Sequence, residues 1–175
     1  MQLRHVTIFG LFGLALTKPH HKRTAAEIEA DISTFSSDLT SFDDDINAFT
    51  GKLAQALALL SSYDTLASAI TTTTSEVTST GDLSSSDSDT IYSAVDSLTS
   101  QIVDTLNDAV SQYSTVESSG YASEVCEALS TLGTDVDDLY EALETTIDSS
   151  YTANVDTFQS TIDSAFSTTI TTYGC

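Results

Sequence analysis

Residues 28–49 read IEADISTFSSDLTSFDDDINAF. Ile28, Ile32, Phe35, Leu39, Phe42, Ile46 and Phe49 follow one another at spacings that alternate four and three. With ~3.6 residues per turn, such positions form one apolar stripe, a heptad seam. Glu29, Asp31, Ser36, Ser37, Asp38, Ser41 and Asp43 to Asp45 fill the gaps with a polar face. Upstream, Thr24-Ala-Ala-Glu27 fits a capping box, in which the Thr hydroxyl satisfies a first-turn amide and the Glu reaches back. Downstream, Thr50-Gly51 marks the helix end, since glycine tolerates the left-handed conformation there.

The same signal recurs along the chain. A second run holds Leu53, Leu57, Leu60, Tyr63, Leu66 and Ile70, with Thr74 and Val77 in phase. Thr71 to Thr74 lowers helix propensity, so fraying is expected there. Thr80-Gly81-Asp82 reads as a turn, and Ser84 to Asp89 supplies N-caps and an acidic first turn suited to the helix dipole. A third run, Ile91, Val95, Leu98, Ile102, Leu106, Ala109, Tyr113 and Val116, stops at Ser118-Ser119-Gly120. The fourth is Val125, Leu129, Leu132, Val136, Leu139, Leu143 and Ile147, broken by Ser149-Ser150. The fifth is Val155, Phe158, Ile162, Phe166, Ile170 and Tyr173. The single proline, Pro19, precedes them all. Short turns between long helices predict an all-α fold, an antiparallel bundle of about five amphipathic helices.

Residues 1–17 read as a signal peptide: Arg4 and His5, then an apolar run from Val6 to Leu16. That run is far short of the ~20 residues of a membrane span, so no transmembrane segment is expected. Residues 18–23 read as a propeptide ending in Lys22-Arg23, which resembles a dibasic processing site. Residues 24–175 then form the helical-bundle domain. The expected location is secreted and extracellular, with cell-wall association as a further expectation.

Charge sharpens under this division. The whole chain of 175 residues carries 26 acidic and 5 basic residues, a formal −21. Arg4, Lys18, Lys22 and Arg23 all precede Thr24, which leaves Lys52 alone against 26 acids. Such a balance repels phosphate backbones, so nucleic acid is excluded as a partner. Ser and Thr supply 27 and 28 residues, which leaves O-glycosylation open, whereas no Asn-x-Ser/Thr sequon exists.

Cys126 lies near the start of the fourth helix and Cys175 just past the fifth. Both sulfurs are about equally far from the Ser149-Ser150 turn, so an antiparallel hairpin would bring them together. A Cys126–Cys175 disulfide is favoured in an oxidising compartment; two free thiols, or a bridge between molecules, are the alternatives.

Catalytic constellations are scarce. His5, His20 and His21 all precede Thr24, so no Ser-His-Asp, Cys-His or histidine-metal site is available afterwards. Glu124 and Glu127 flank Cys126 and disfavour its thiolate. Asp43 to Asp45 and Asp135-Val-Asp137-Asp138 are dense in carboxylate, but neighbours on one helix do not face each other across a cleft as glycosidase acids do. The stretch from Asp82 to Ser93 has calcium-loop spacing but carries Asp87 and Ser93 where such loops need Gly and Glu. No enzyme activity, no catalytic residue, no metal and no cofactor is expected.

The apolar stripe remains. It is rich in Phe, and a polar face with little charge pairing does not hold the bundle shut. Such a bundle either opens onto an apolar surface or encloses an acyl chain. The candidate lining is Phe35, Leu39, Phe42, Ile46, Leu57, Leu98, Ile102, Leu106, Leu132, Leu139, Phe158, Ile162 and Phe166. With Lys52 the sole cation, an acidic head group is expected to rest on Ser, Thr, Tyr or Gln donors or at the solvent mouth.

Ile28 to Phe49, with its Asp-rich face and Phe-Thr-Gly51 end, resembles the opening helix of the fungal hydrophobic surface-binding protein A family, which includes the antigenic cell-wall galactomannoproteins. Leu83-Ser-Ser-Ser-Asp-Ser-Asp and the following Ile91, Val95 and Leu98 resemble the start of that family's central helix. The resemblance covers roughly Thr24 to Ile170. It implies a secreted, non-catalytic protein that binds hydrophobic surfaces or long-chain fatty acids, with a secreted esterase or cutinase as a further partner. The competing expectation is a structural, antigenic wall mannoprotein with a closed core and no ligand. The chain departs from the larger mannoproteins in lacking a second copy and a Ser/Thr/Pro-rich stalk, which puts permanent wall attachment in doubt.

Overall fold

The computed structural model describes residues 24–175. The expected signal peptide, propeptide and dibasic site lie outside the described residues. Five α-helices follow one another: α1 (Ala25–Ala48), α2 (Leu53–Thr80), α3 (Ser85–Ser119), α4 (Ala122–Thr146) and α5 (Thr152–Tyr173). No strand occurs among the described residues.

The caps explain the boundaries. The Thr24 hydroxyl accepts from the Glu27 amide at 3.3 Å, and Glu27 Oε2 accepts from the Thr24 amide at 2.8 Å. This satisfies orphan donors of the first turn from both sides. Between α1 and α2, Gln55 ties the turn: its Oε1 accepts from the Thr50 amide at 3.0 Å, and its Nε2 donates to the Ala48 carbonyl at 2.7 Å. Gly51 sits there at φ 86°, and a Cβ on it would collide with the Ser119 hydroxyl at the end of α3. Both the backbone conformation and the close approach therefore require glycine.

The expected fraying at Thr71 to Thr74 does not occur, because α2 runs on to Thr80. Each of these hydroxyls donates to the carbonyl four residues back, as in Thr73 to Ala69 at 2.9 Å and Thr74 to Ile70 at 2.9 Å. Thr73, Val77 and Thr80 are also buried. Threonine's low propensity costs a few tenths of a kcal/mol per residue, and burial of this stripe outweighs it.

Consecutive helices run antiparallel, but they are not always neighbours. The packed pairs are α1–α2, α2–α4, α4–α5, α5–α3 and α3–α1, while α2 and α3 share no face and α3 meets α4 only slightly. The five helices thus close into a ring. At interaxial distances of ~8–10 Å, five ring members place their axes ~7–9 Å from the centre. A helix with its side chains has a radius of only ~5–6 Å. A channel of small radius runs down the middle unless large side chains fill it.

The two ends of the ring differ. At the end holding the start of α1, four cross-links close the bundle. Leu83 donates its amide to Thr146 O at 2.9 Å, and Asp148 N–H donates to Ser88 Oγ at 2.8 Å. Tyr151 donates its hydroxyl to Asp89 at 3.0 Å, and Thr146 donates more weakly to Val77 O at 3.5 Å. Here Val77, Ile91, Val95, Leu98, Leu139, Tyr140, Leu143, Val155 and Ile162 fill the interior almost without exposure. The Tyr140 hydroxyl crosses the ring to Thr99 at 2.8 Å. Burial pushes that phenol strongly up, so it stays protonated and the bond persists at all ordinary pH.

At the other end, α4 and α5 are joined by the Cys126–Cys175 disulfide across 49 residues of sequence, with Cα atoms 5.5 Å apart. The intramolecular alternative is therefore the one formed.

Candidate functional site

In the half of the ring nearest the disulfide the interior is hollow. A cavity of about 430 Å³ lies there, a size typical of small-molecule sites. Its walls come from all five helices. Phe35, Leu39, Phe42 and Ile46 stand on α1, and Phe49 caps it; Ala56, Leu59, Leu60, Tyr63, Leu66 and Ile70 stand on α2; Ile102, Leu106 and Ala109 on α3; Leu129, Leu132 and Val136 on α4; Phe166 and Tyr173 on α5. Lining residues span 14 residue steps on each of α1, α2 and α3, about 21 Å at ~1.5 Å per residue. Tyr140 and Thr99, which share a hydrogen bond, lie one turn beyond the lining residues Val136 and Ile102.

Small side chains contribute to the void. Ala56, Ala109 and Ala128 occupy positions that face the interior on α2, α3 and α4. In the closed half large side chains, among them Leu98, Leu139 and Tyr140, are fully buried. The mouth lies between α2 and α4, because the exposed lining residues, Leu60, Glu124, Glu127 and Thr131, all belong to those two helices.

Of the thirteen residues expected to line a lipid site, eight do line the cavity: Phe35, Leu39, Phe42, Ile46, Ile102, Leu106, Leu132 and Phe166. Leu98, Leu139 and Ile162 do not; they are sealed in the closed half at 1%, 0% and 1% exposure. Phe158 is also elsewhere, stacked on Tyr92 with ring centroids 5.4 Å apart. Leu57 is misplaced outright. It is 58% exposed and points outward with Leu53 and Leu60. Leu57 and Leu66 are nine residues apart, about two and a half turns, so they occupy opposite faces of α2. The periodic run merged two stripes.

Sequence reasoning missed Ala56, Leu59, Ala109, Gln112, Tyr121 and Ala128. Alanine favours helices everywhere, so nothing local distinguishes an alanine that leaves a void from one on a surface.

The polar lining is uncharged in the interior. Thr105 faces the Asp43 carboxyl, which burial first of all, and Asp108 and Asp44 in addition, hold above the ordinary range. Lys52 is exposed and does not line the cavity. The lining carboxylates, Glu124 and Glu127, share one helix at the mouth and do not face each other across it.

Elsewhere carboxyls meet across α4–α5. Asp137 is raised by burial and by Asp163 beside it, and Glu144 chiefly by the charge of Asp156. Burial and Asp138 raise Asp135 likewise. Raised carboxyls bind protons more readily in the folded than in the unfolded chain, so their contribution is fully present below the unfolded value of ~4 and is lost as pH rises through the folded values. Asp148, lowered by Ser150, acts in the opposite sense but is a single group. The melting temperature is therefore expected to rise as pH falls from about 7 towards about 4. Calorimetry across that range checks it, and a fall on acidification would refute it.

Residues 25–145 match the family model of hydrophobic surface binding protein A. The chain belongs to the hydrophobic surface binding protein A family. No curated protein matches its sequence. Among solved structures, Afmp4p in complex with palmitic acid shares 32% identity and superposes at TM-score 0.83, over 85% of this chain and 99% of that one. Ligand binding domain 1 of the Penicillium marneffei MP1 protein, complexed with arachidonic acids, is 17% identical with TM-score 0.79, over 85% and 98%. Domain 2 of the same protein, complexed with multiple arachidonic acids, is 18% identical with TM-score 0.80, over 87% and 97%. The last two establish the likeness of fold. No helix among the described residues is long and apolar enough to cross a membrane.

Proposed function

We propose that this hydrophobic surface binding protein A family member is a secreted carrier that holds one long-chain acyl ligand inside its helical ring. The observation that carries this is the apolar cavity of about 430 Å³, walled by all five helices and open between α2 and α4. Carbon–carbon bonds of ~1.5 Å at ~111° advance ~1.25 Å per carbon, so a lining of about 21 Å suits an extended chain of ~16–18 carbons. The 32% identical Afmp4p, in complex with palmitic acid, supports this reading. A binding role also fits the side chains at the cavity, which offer apolar area and hydroxyls rather than an activated nucleophile. Organic extraction of the purified protein followed by mass spectrometry tests it. The expected result is one acyl chain per molecule, replaced by added palmitic acid after delipidation. A delipidated protein that takes up no acyl lipid would refute it.

A second activity rests on a separate feature. Leu53, Leu57 and Leu60 are 66%, 58% and 55% exposed, a single outward stripe on α2. Leu60 also lines the mouth, so the stripe runs from the cavity onto the surface. We read it as the face that adsorbs to hydrophobic surfaces. Replacing all three by Ser is expected to cut adsorption to polystyrene at least tenfold. Surface changes of this kind alter stability by only about 0.5 kcal/mol each. Unchanged adsorption would place the activity elsewhere.

A further inference from the structure

The polar atoms that reach the cavity constrain the head group of whatever acyl ligand lies there. Two hydroxyl protons are already committed. Tyr173 donates to the Ala109 carbonyl at 2.8 Å, and Thr131 to the Glu127 carbonyl at 3.1 Å. Each of these oxygens therefore turns lone pairs, not a proton, towards a ligand.

Charge points the same way. Among the described residues the one cation is Lys52, which is exposed and outside the lining. Glu124 and Glu127 stand at the mouth, where a head group facing solvent would lie. The other basic residues, Arg4, Lys18, Lys22 and Arg23, precede Thr24. Thr24 starts α1 at the closed end of the ring, about 38 Å along that helix from Phe49 beside the hollow half. Among the described residues a ligand carboxylate would thus meet like charge at the mouth without a counter-ion, which disfavours its ionised form. The phenols of Tyr63 and Tyr121 and the amide of Gln112, which line the cavity, can donate to a neutral oxygen as well as to a charged one.

We infer that the cavity takes its long-chain ligand with an uncharged oxygen head group, either the protonated acid or an alcohol or ester, and disfavours the free carboxylate. This rests on the acyl-binding function proposed above.

The test uses the delipidated protein with carboxyl-¹³C palmitic acid and with hexadecanol. The carbon resonance of bound palmitic acid is followed from pH 4 to pH 9. Its titration is expected about two units or more above the ~4.3 of an ordinary carboxyl. Palmitic acid affinity is expected to fall at least tenfold between pH 5 and pH 8, while that of hexadecanol stays constant. If only hexadecanol binds, the natural ligand is a neutral alcohol or ester; if palmitic acid binds equally well in acid, it is the protonated acid. Replacing Glu124→Gln together with Glu127→Gln is expected to move the bound carboxyl's titration down. A bound carboxyl that titrates at or below the ordinary value would overturn the inference and leave acyl binding intact. So would palmitate binding more than tenfold tighter than hexadecanol at pH 8. If neither ligand binds at any pH, the acyl-binding function fails and this inference falls with it.

Discussion

Replacing Cys126→Ser together with Cys175→Ser is expected to destabilise the bundle by about 4 kcal/mol. The bridge joins residues 49 apart, so without it the unfolded chain regains the freedom of a long closed loop. For a chain of this size ~1 kcal/mol moves the melting temperature by ~2–4 °C, which predicts a fall of roughly 8–16 °C. The loss falls where the fold can least offset it. The opposite end of the ring has its own hydrogen-bonded cross-links and a filled interior, whereas the disulfide end surrounds a void. With the bridge gone, the start of α4, which carries Glu124 and one side of the mouth, loses its covalent tie to α5. Thermal unfolding of the double variant measures this. A shift below about 3 °C would mean that packing alone holds α4 to α5.

Substituting Ala128→Trp is expected to abolish acyl binding while leaving the fold intact. Ala128 lines the cavity beside the mouth, and an indole there occupies space that the ligand needs. The expected loss of affinity is at least 100-fold, worth about 2.7 kcal/mol. Stability should hold, since the ring enters a void rather than a packed core. Leu139→Ala is the counterpart in the closed half. Leu139 is fully buried, and its truncation is expected to cost about 2–5 kcal/mol of stability through cavity formation. Affinity of the folded fraction should change little, because Leu139 lies outside the lining. Titration with palmitic acid and denaturant unfolding of both variants separate the two roles. If Ala128→Trp binds as tightly as the original protein, the cavity is not the ligand site.

These two positions show why the site was only partly legible. Leu132 and Leu139 belong to one heptad stripe on α4, and periodicity alone treats them alike. One faces a void and the other a packed core, and the difference is made by residues on other helices. Alanines on three helices empty one half, while Tyr140 reaching Thr99 fills the other. Leu57 failed for another reason. Steps of three and four keep to one face only when they alternate, and the consecutive threes from Leu57 to Leu66 carry the run to the opposite side. The exposed leucines were visible in the sequence, but their outward direction was not.

What the sequence determined by itself was local. The capping box at Thr24, the turn at Gly51, five amphipathic helices and the cysteine pairing follow from interactions within a few residues or within one hairpin. So does the isolation of Lys52 among 26 acids, which needs only a count. Tertiary structure decided the ring order, in which α2 packs on α4 rather than α3, and with it the hollow half and its mouth. The reason is that helical periodicity reports which way a side chain faces relative to its own helix, whereas a cavity is a shortfall of volume summed over five helices. No one residue carries that shortfall, so no local pattern reveals it.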